Sequence, residues 1–353
     1  MKTASAISCF TAPVEQRAAL VPVYRALFRD ANALARFPEQ KKKAQEICDE
    51  LFNTQMSAFS PSPPPSAKLR YLQDVEPACN LPIDDSRERA ILAAISSNDR
   101  EALRRAASGG FDLNRLIDTG EPPIISAALA GSADMVSELA ALGAKPDTVG
   151  FYGRTALERV AVRTQTPQPR ATAVLKALLE AGADANRPDM WGYPPLVRVA
   201  GSANPEMFDL LLEHGARVNQ GILCDECSDH GKTALHSEPT VAQALAAIRY
   251  GANVNVRTLN GNTPLMFALH PELVKVLLEH GADPNLANRF DQTPLMRALE
   301  SYQSFQLTRY SEIAELLVAH GARLDVRDQR GMTPLDFTQD EALKARLRKL
   351  SQE

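Results

Sequence analysis

Cys224 and Cys227, separated by Asp225 and Glu226 and followed by His230 and His236, are the most reactive close grouping in this chain. A Cys-x-x-Cys pair suits a tetrahedral zinc site or dithiol redox chemistry. Two thiolates and one imidazole leave the tetrahedron a ligand short. The expectation is therefore no bound metal or cofactor, with Cys224, Cys227 and His230 as the only candidates. His214, His280 and His320 each stand just before Gly-Ala, where an imidazole can meet the free carbonyls of a helix end. No Ser/His/Asp grouping, phosphate-cradling loop or pair of working carboxylates stands out. The chain reads as non-enzymatic.

The stronger signal is a recurring phrase. Gly261 to Asn285 opens on a Gly-x-Thr-Pro-Leu turn, runs through two short apolar-periodic segments and closes on Gly-Ala-Asp-Pro-Asn. The openings recur at Gly120, Gly153, Gly192, Gly231, Gly261, Asp291 and Gly331, spaced 33, 39, 39, 30, 30 and 40 residues apart. Threonine before proline caps a first helix, and proline at the first helical position loses no needed donor. Leucines three and four apart make one buried stripe per helix. Glycine after the second helix permits a left-handed stop. One such pair of helices cannot bury its apolar face alone, so the pairs must stack.

These residues resemble the ankyrin repeat. Thr-Pro-Leu is intact at Thr263, Thr293 and Thr333, and Leu-Leu-x-x-Gly-Ala appears at Leu178, Leu211 and Leu277. The resemblance covers residues 85–353 and implies an all-α solenoid whose business is protein–protein interaction. It also implies a structural, hydrogen-bonding place for His236, and projecting fingers between repeats. Tyr152, Trp191, Phe290 and Arg330 precede the turn residue of a finger, and Arg289 stands one place earlier. Large side chains at projecting tips make binding anchors; the alternative is that some lie flat and only stabilise stacking. In the first repeat, residues 98–101 (Asn-Asp-Arg-Glu) offer a capping box. Extra residues at 164–170, 220–230 and 301–310 mark insertions, where partner-specific surface is expected. The repeats opening at Gly231 and Gly261 are three residues short between their helices.

Net charge is −4, which implies no general affinity for nucleic acid. Residues 1–57 run against this, with eight Lys/Arg and six Asp/Glu. Five cysteines in a chain this long do not make a disulfide framework. No apolar run reaches transmembrane length, so no membrane insertion is expected.

Residues 1–57 read as two amphipathic helices ending near Phe37-Pro38 and Phe52. Residues 58–84 read as a Pro-rich linker with a short helix. Val23-Tyr24-Arg25, followed by Arg36-Phe37-Pro38 and Leu51-Phe52, is similar to the LYR-motif family of small mitochondrial helical proteins, with Val23 in place of the family's leucine. The resemblance implies that Tyr24, Arg25, Arg29 and Phe52 meet the mitochondrial acyl carrier protein. The Pro-rich stretch interrupts the chain where a third helix of that family would form. The expectation is an all-α ankyrin-repeat solenoid preceded by a small LYR-like helical module, acting as a scaffold: an accessory or assembly subunit of a large mitochondrial complex. The alternative is a bacterial or cytosolic ankyrin-repeat adaptor or effector in which those helices have no LYR function.

Overall fold

The computed structural model describes residues 85–353 except 116, 118–120, 151–153, 163–168, 190, 203, 224–229, 306–307 and 353. Tyr24, Arg25, Arg29, Phe52, Tyr152, Cys224 and Cys227 lie outside the described residues, as do the openings Gly120 and Gly153. The chain divides into two compact bodies. Residues up to Asp184 with Asp189–Gly192 form one, and Ala185–Pro188 with Tyr193–Glu353 form the other. Each is a stack of short helices joined by fingers.

The N-terminal body holds α1 (Asp85–Ser97), α2 (Arg100–Ala107), α3 (Pro123–Ala130), α4 (Ala133–Ala141), α5 (Ala156–Val162) and α6 (Pro169–Glu180). First helices pack on first helices, α1 on α3 and α3 on α5, while α4 packs on α6. The stripe of each helix closes the core: Ile91, Leu103, Ile124, Ile125, Leu139, Leu157 and Leu175 are fully buried. The capping box expected at residues 98–101 is not formed. Asn98 takes a left-handed φ of 55°, so Asp99 becomes the cap and its Oδ1 accepts from Ala102 N at 2.9 Å.

The C-terminal body holds α7 (Pro195–Val199), α8 (Pro205–Glu213), α9 (Val241–Arg249), α10 (Pro271–Glu279), α11 (Pro294–Phe305), α12 (Thr308–Ala319) and α13 (Glu341–Leu350). Second helices α8, α9, α10, α12 and α13 stack in that order. In the first layer the expected helices at Ala234–His236, Pro264–Met266 and Pro334–Phe337 are single 3-10 turns. The two shortened repeats have too few residues before Pro239 and Pro271 to propagate an α-helix. At the last repeat Thr338 turns extended after Phe337.

The threonines cap these segments in more than one way. Thr293 Oγ1 does accept from Met296 N, at 3.4 Å. Thr333 forms a capping box with Asp336, whose carboxylate accepts from the Thr333 backbone N and hydroxyl at 2.7 and 2.6 Å. At Thr233 it is the His236 ring that takes the backbone N–H, at 3.1 Å.

The insertion at 301–310 is not a free surface loop. It lengthens α11 and α12 and reaches the last repeat. Tyr302 Oη donates to Asp340 at 2.8 Å, and Asp340 caps α13 by accepting from Leu343 N at 2.9 Å. Gln303 Oε1 accepts from Gln339 N at 3.0 Å.

Candidate protein-binding site

The fingers are built from two side-chain devices. At the base, the Asn that closes one repeat bridges to the next. Asn255 donates to the Gly281 carbonyl at 2.9 Å and accepts from Asp283 N at 2.8 Å. Asn114, Asn186, Asn219 and Asn285 make the same pair of bonds to the Gly143, Gly215, Gly251 and Gly321 regions. Asp147 is the exception: its carboxylate accepts from Asp184 N at 3.1 Å and has no amide to donate. The spacing shows these residues, but their reach into the following repeat is a three-dimensional fact that periodicity does not carry.

At the tip, a short polar side chain holds the turn. Asn288 Oδ1 accepts from Phe290 N at 2.9 Å and from Gln292 N at 3.1 Å. Asp328 does the same for Arg330 N and Met332 N, both at 2.9 Å. Asp189 accepts from Trp191 N at 3.0 Å, and Thr258 Oγ1 from Asn262 N at 3.1 Å. All four are nearly buried. The turn residue is left-handed in each: Gly192, Gly261 and Gly331, with Asp291 at φ 58° in place of a glycine.

Neighbouring fingers of the C-terminal body are zipped together through their backbones. Leu259 N donates to His230 O at 3.0 Å, Arg289 N to Asn260 O at 2.9 Å, and Gln329 N to Phe290 O at 3.2 Å. Gln329 Nε2 adds a bond to Arg289 O at 2.7 Å. A peptide backbone that is already satisfied in this way leaves its side chains free to face solvent.

The expected tip residues separate into three kinds. Phe290 is 55 % exposed and Arg289 beside it is exposed. Arg330 is exposed but committed: its Nε meets Asp328 at 2.9 Å, and its guanidinium lies 5.2 Å from the Phe337 ring centre. Trp191, in the N-terminal body, is half-buried under the Arg154 guanidinium, 4.4 Å from its ring centre. Two apolar tips complete the row in the C-terminal body. Leu259 is 58 % exposed, and Leu223, at the start of the inserted finger, 55 %. Leu259 is legible as a leucine in a place where other fingers carry Arg289 or Gln329; Leu223 is not.

His236 is a structural residue. Its Nδ1 accepts from Thr233 N, and its Nε2 lies 3.2 Å from Asn262 O. Burial pushes its pKa down to about 4, against the partial support of the Asn262 carbonyl. His214, His280 and His320 meet the carbonyls of Leu210, Val276 and Leu316 at 3.0, 2.8 and 2.8 Å, closing their helix ends. Among the described residues no three His, Cys, Asp or Glu side chains group closely enough to hold a metal ion.

The N-terminal body buries charged side chains near its fingers. Glu88 and Arg115 form an ion pair with both side chains nearly inaccessible. The Glu121 carboxyl is buried against Gly150, where any Cβ would overlap it. Burial raises its pKa to about 7, opposed by Arg159 and Arg154.

The model for ankyrin repeats in three copies matches residues 90–189 and 238–328. YahD, an ankyrin repeat protein of Escherichia coli K12, is 29 % identical over 209 residues, spanning 56 % of this chain and 94 % of YahD. Human ankyrin repeat and SOCS box protein 16 is 33 % identical over 233 residues, 61 % of this chain but 46 % of that protein. Human SH3 and multiple ankyrin repeat domains protein 2 is 31 % identical over 220 residues, covering 60 % of this chain and 11 % of its own length. The ankyrin repeat domain of Bcl-3 superposes with a TM-score of 0.53 at 23 % identity, over 65 % of this chain and 97 % of that domain, a likeness of fold. The repeating helix pairs, the finger architecture and these matches agree: the chain belongs to the ankyrin-repeat family.

Proposed function

We propose that this chain is a binding scaffold that holds a partner protein on the finger row of its C-terminal body. Leu259 and Phe290 act as the apolar anchors, with Arg289 beside them. One observation carries the reading: two large apolar side chains stand more than half exposed on adjacent fingers, at 58 % and 55 %, while their backbones are zipped. A fixed backbone presents such anchors with little ordering cost on binding. Anchors of this kind dominate interface energies, and each commonly contributes about 2 kcal/mol or more.

Of the two settings expected from the sequence, the relatives support the adaptor one, since they are bacterial, viral and animal ankyrin proteins. Their names mention neither mitochondria nor acyl carrier protein. The mitochondrial reading rests on Tyr24, Arg25, Arg29 and Phe52 alone; unchanged co-purification of carrier protein after Tyr24→Ala with Arg25→Ala would remove it.

The test of the finger-row reading is a full-length Leu259→Asp/Phe290→Asp double variant, compared with the wild type for a partner recovered by affinity capture. Loss of at least about 100-fold in affinity is expected. Unchanged affinity in a folded variant would overturn the proposal.

A further inference from the structure

The second-layer helices of the C-terminal body can be compared in register by counting back from the glycine that ends each one. In α8 the exposed row is Glu206, Asp209 and Glu213. In α10 it is Glu272, Lys275 and Glu279. In α9, which packs between them, the same places hold Ala242, Leu245 and Arg249.

Two further departures fall on α9. Val241 begins the helix where α8 and α10 begin with proline. Tyr250 replaces the histidine that closes both neighbours. The side chains of Val241, Leu245 and Tyr250 are 36 %, 37 % and 49 % exposed. Val241 and Leu245 are one helical turn apart and so share a face. With Ala242 beside them they make a short apolar strip, from which Tyr250, nine residues after Val241, is turned about half a revolution; α8 flanks the strip with acids alone, and α10 with Glu272 and the Lys275–Glu279 pair. Glu206, Asp209, Glu213 and Glu272 meet no cation among the described residues. Lys275 is held by Glu279 at 3.8 Å, which leaves Arg249 as the cation on the strip itself.

We infer that this outer helical face is a second docking surface, separate from the finger row, and that its occupant is a basic amphipathic helix of another protein. The apolar face of such a helix would cover Val241, Ala242 and Leu245, while its flanking lysines or arginines meet Glu206, Asp209 and Glu213 of α8. Charge complementarity selects this occupant: an acidic amphipathic helix would bring like charges together along α8, at a cost to association. An isolated exposed leucine on a repeat helix carries no such meaning. Here Val241, Ala242 and Leu245 depart from both neighbouring helices on one outward face, with Arg249 standing beside them where the neighbours carry glutamate.

The test uses the full chain and a fluorescent synthetic helix with leucines on one face and lysines on the other, together with its glutamate-for-lysine twin. The lysine peptide is expected to bind and the twin not to bind. Leu245→Asp, partly exposed and so tolerant of the change, should weaken binding at least tenfold, and so should the combined Glu206→Gln, Asp209→Asn and Glu213→Gln variant, which leaves the apolar strip intact. Leu259→Asp, on the finger row, should leave the peptide affinity unchanged. Equal binding by the wild type and Leu245→Asp would overturn the proposal. So would loss of peptide binding in Leu259→Asp, which would place the peptide on the fingers. Sedimentation of the unliganded chain covers the remaining occupant: a dimer that Leu245→Asp converts to monomer would mean that a second copy covers the strip, and the proposal fails.

Discussion

The two bodies are written in the same repeat grammar and spend it differently. The N-terminal body buries charge: Glu88 with Arg115, and Glu121 against Gly150. Its described tip, Trp191, lies under Arg154. The C-terminal body holds its turns with neutral or fully bonded side chains such as Thr258 and Asn288, and leaves Leu259 and Phe290 facing out. The difference teaches that a repeat motif specifies how fingers are made and not what they present. Presentation depends on whether a neighbouring cation covers the tip.

The largest expected effect lies in the buried ion pair. Arg115→Ala leaves the Glu88 carboxylate without its close cation and should destabilise the N-terminal body by about 3–5 kcal/mol. In a stack of repeats, damage of this kind is felt locally. Amide hydrogen exchange should therefore lose protection in α1 to α4 while α10 to α13 keep theirs. Equal loss in both bodies would break the comparison.

Acid and base should move the two bodies in opposite directions. Glu121 has a folded pKa of about 7 against an ordinary 4.5, so its contribution is fully present below about 4.5 and is lost as pH rises through 7. His236 has a folded pKa of about 4 against an ordinary 6.5, so its contribution is present above 6.5 and is lost as pH falls through 4. Each is worth on the order of 3 kcal/mol. Exchange protection around Glu121 should fall from about pH 4.5 to 7, and protection around His236 should rise over nearly the same window. Glu121→Gln should abolish the first trend and leave the second. Parallel trends in both bodies would contradict this assignment.

Smaller effects sharpen the contrast in the finger bases. Asn255→Ala removes two inter-repeat bonds and should cost about 1–2 kcal/mol, read as a lower denaturant midpoint for the C-terminal body. Asp147→Asn supplies the donor that the other bridging residues have and should stabilise the N-terminal body by about 0.5–1 kcal/mol. A destabilising Asp147→Asn would show that the carboxylate there serves something other than the bridge.

Much of the fold was legible because its punctuation is chemical. Glycines at helix stops and prolines at first turns have few substitutes, and the apolar stripes have one period. The difference between a 3-10 turn and a helix was less legible, since it turned on three missing residues before Pro239 and Pro271. The insertion at 301–310 looked like surface and instead became the brace that holds Asp340. Of the tip residues, Phe290 and Arg289 could be picked from position alone, whereas the cover over Trp191 comes from Arg154, on the preceding repeat. The apolar strip on α9 was visible only once the neighbouring helices could be compared in register with their exposure known.

Site-specific photo-crosslinking tests the central claim most directly. A photoreactive residue would be placed at Phe290 or Leu259 in the C-terminal body, and at Lys176 on α6 of the N-terminal body as the comparison. The account predicts that the two finger positions crosslink to the same partner protein and that Lys176 does not. Crosslinks from Lys176 with none from Phe290 or Leu259 would contradict it.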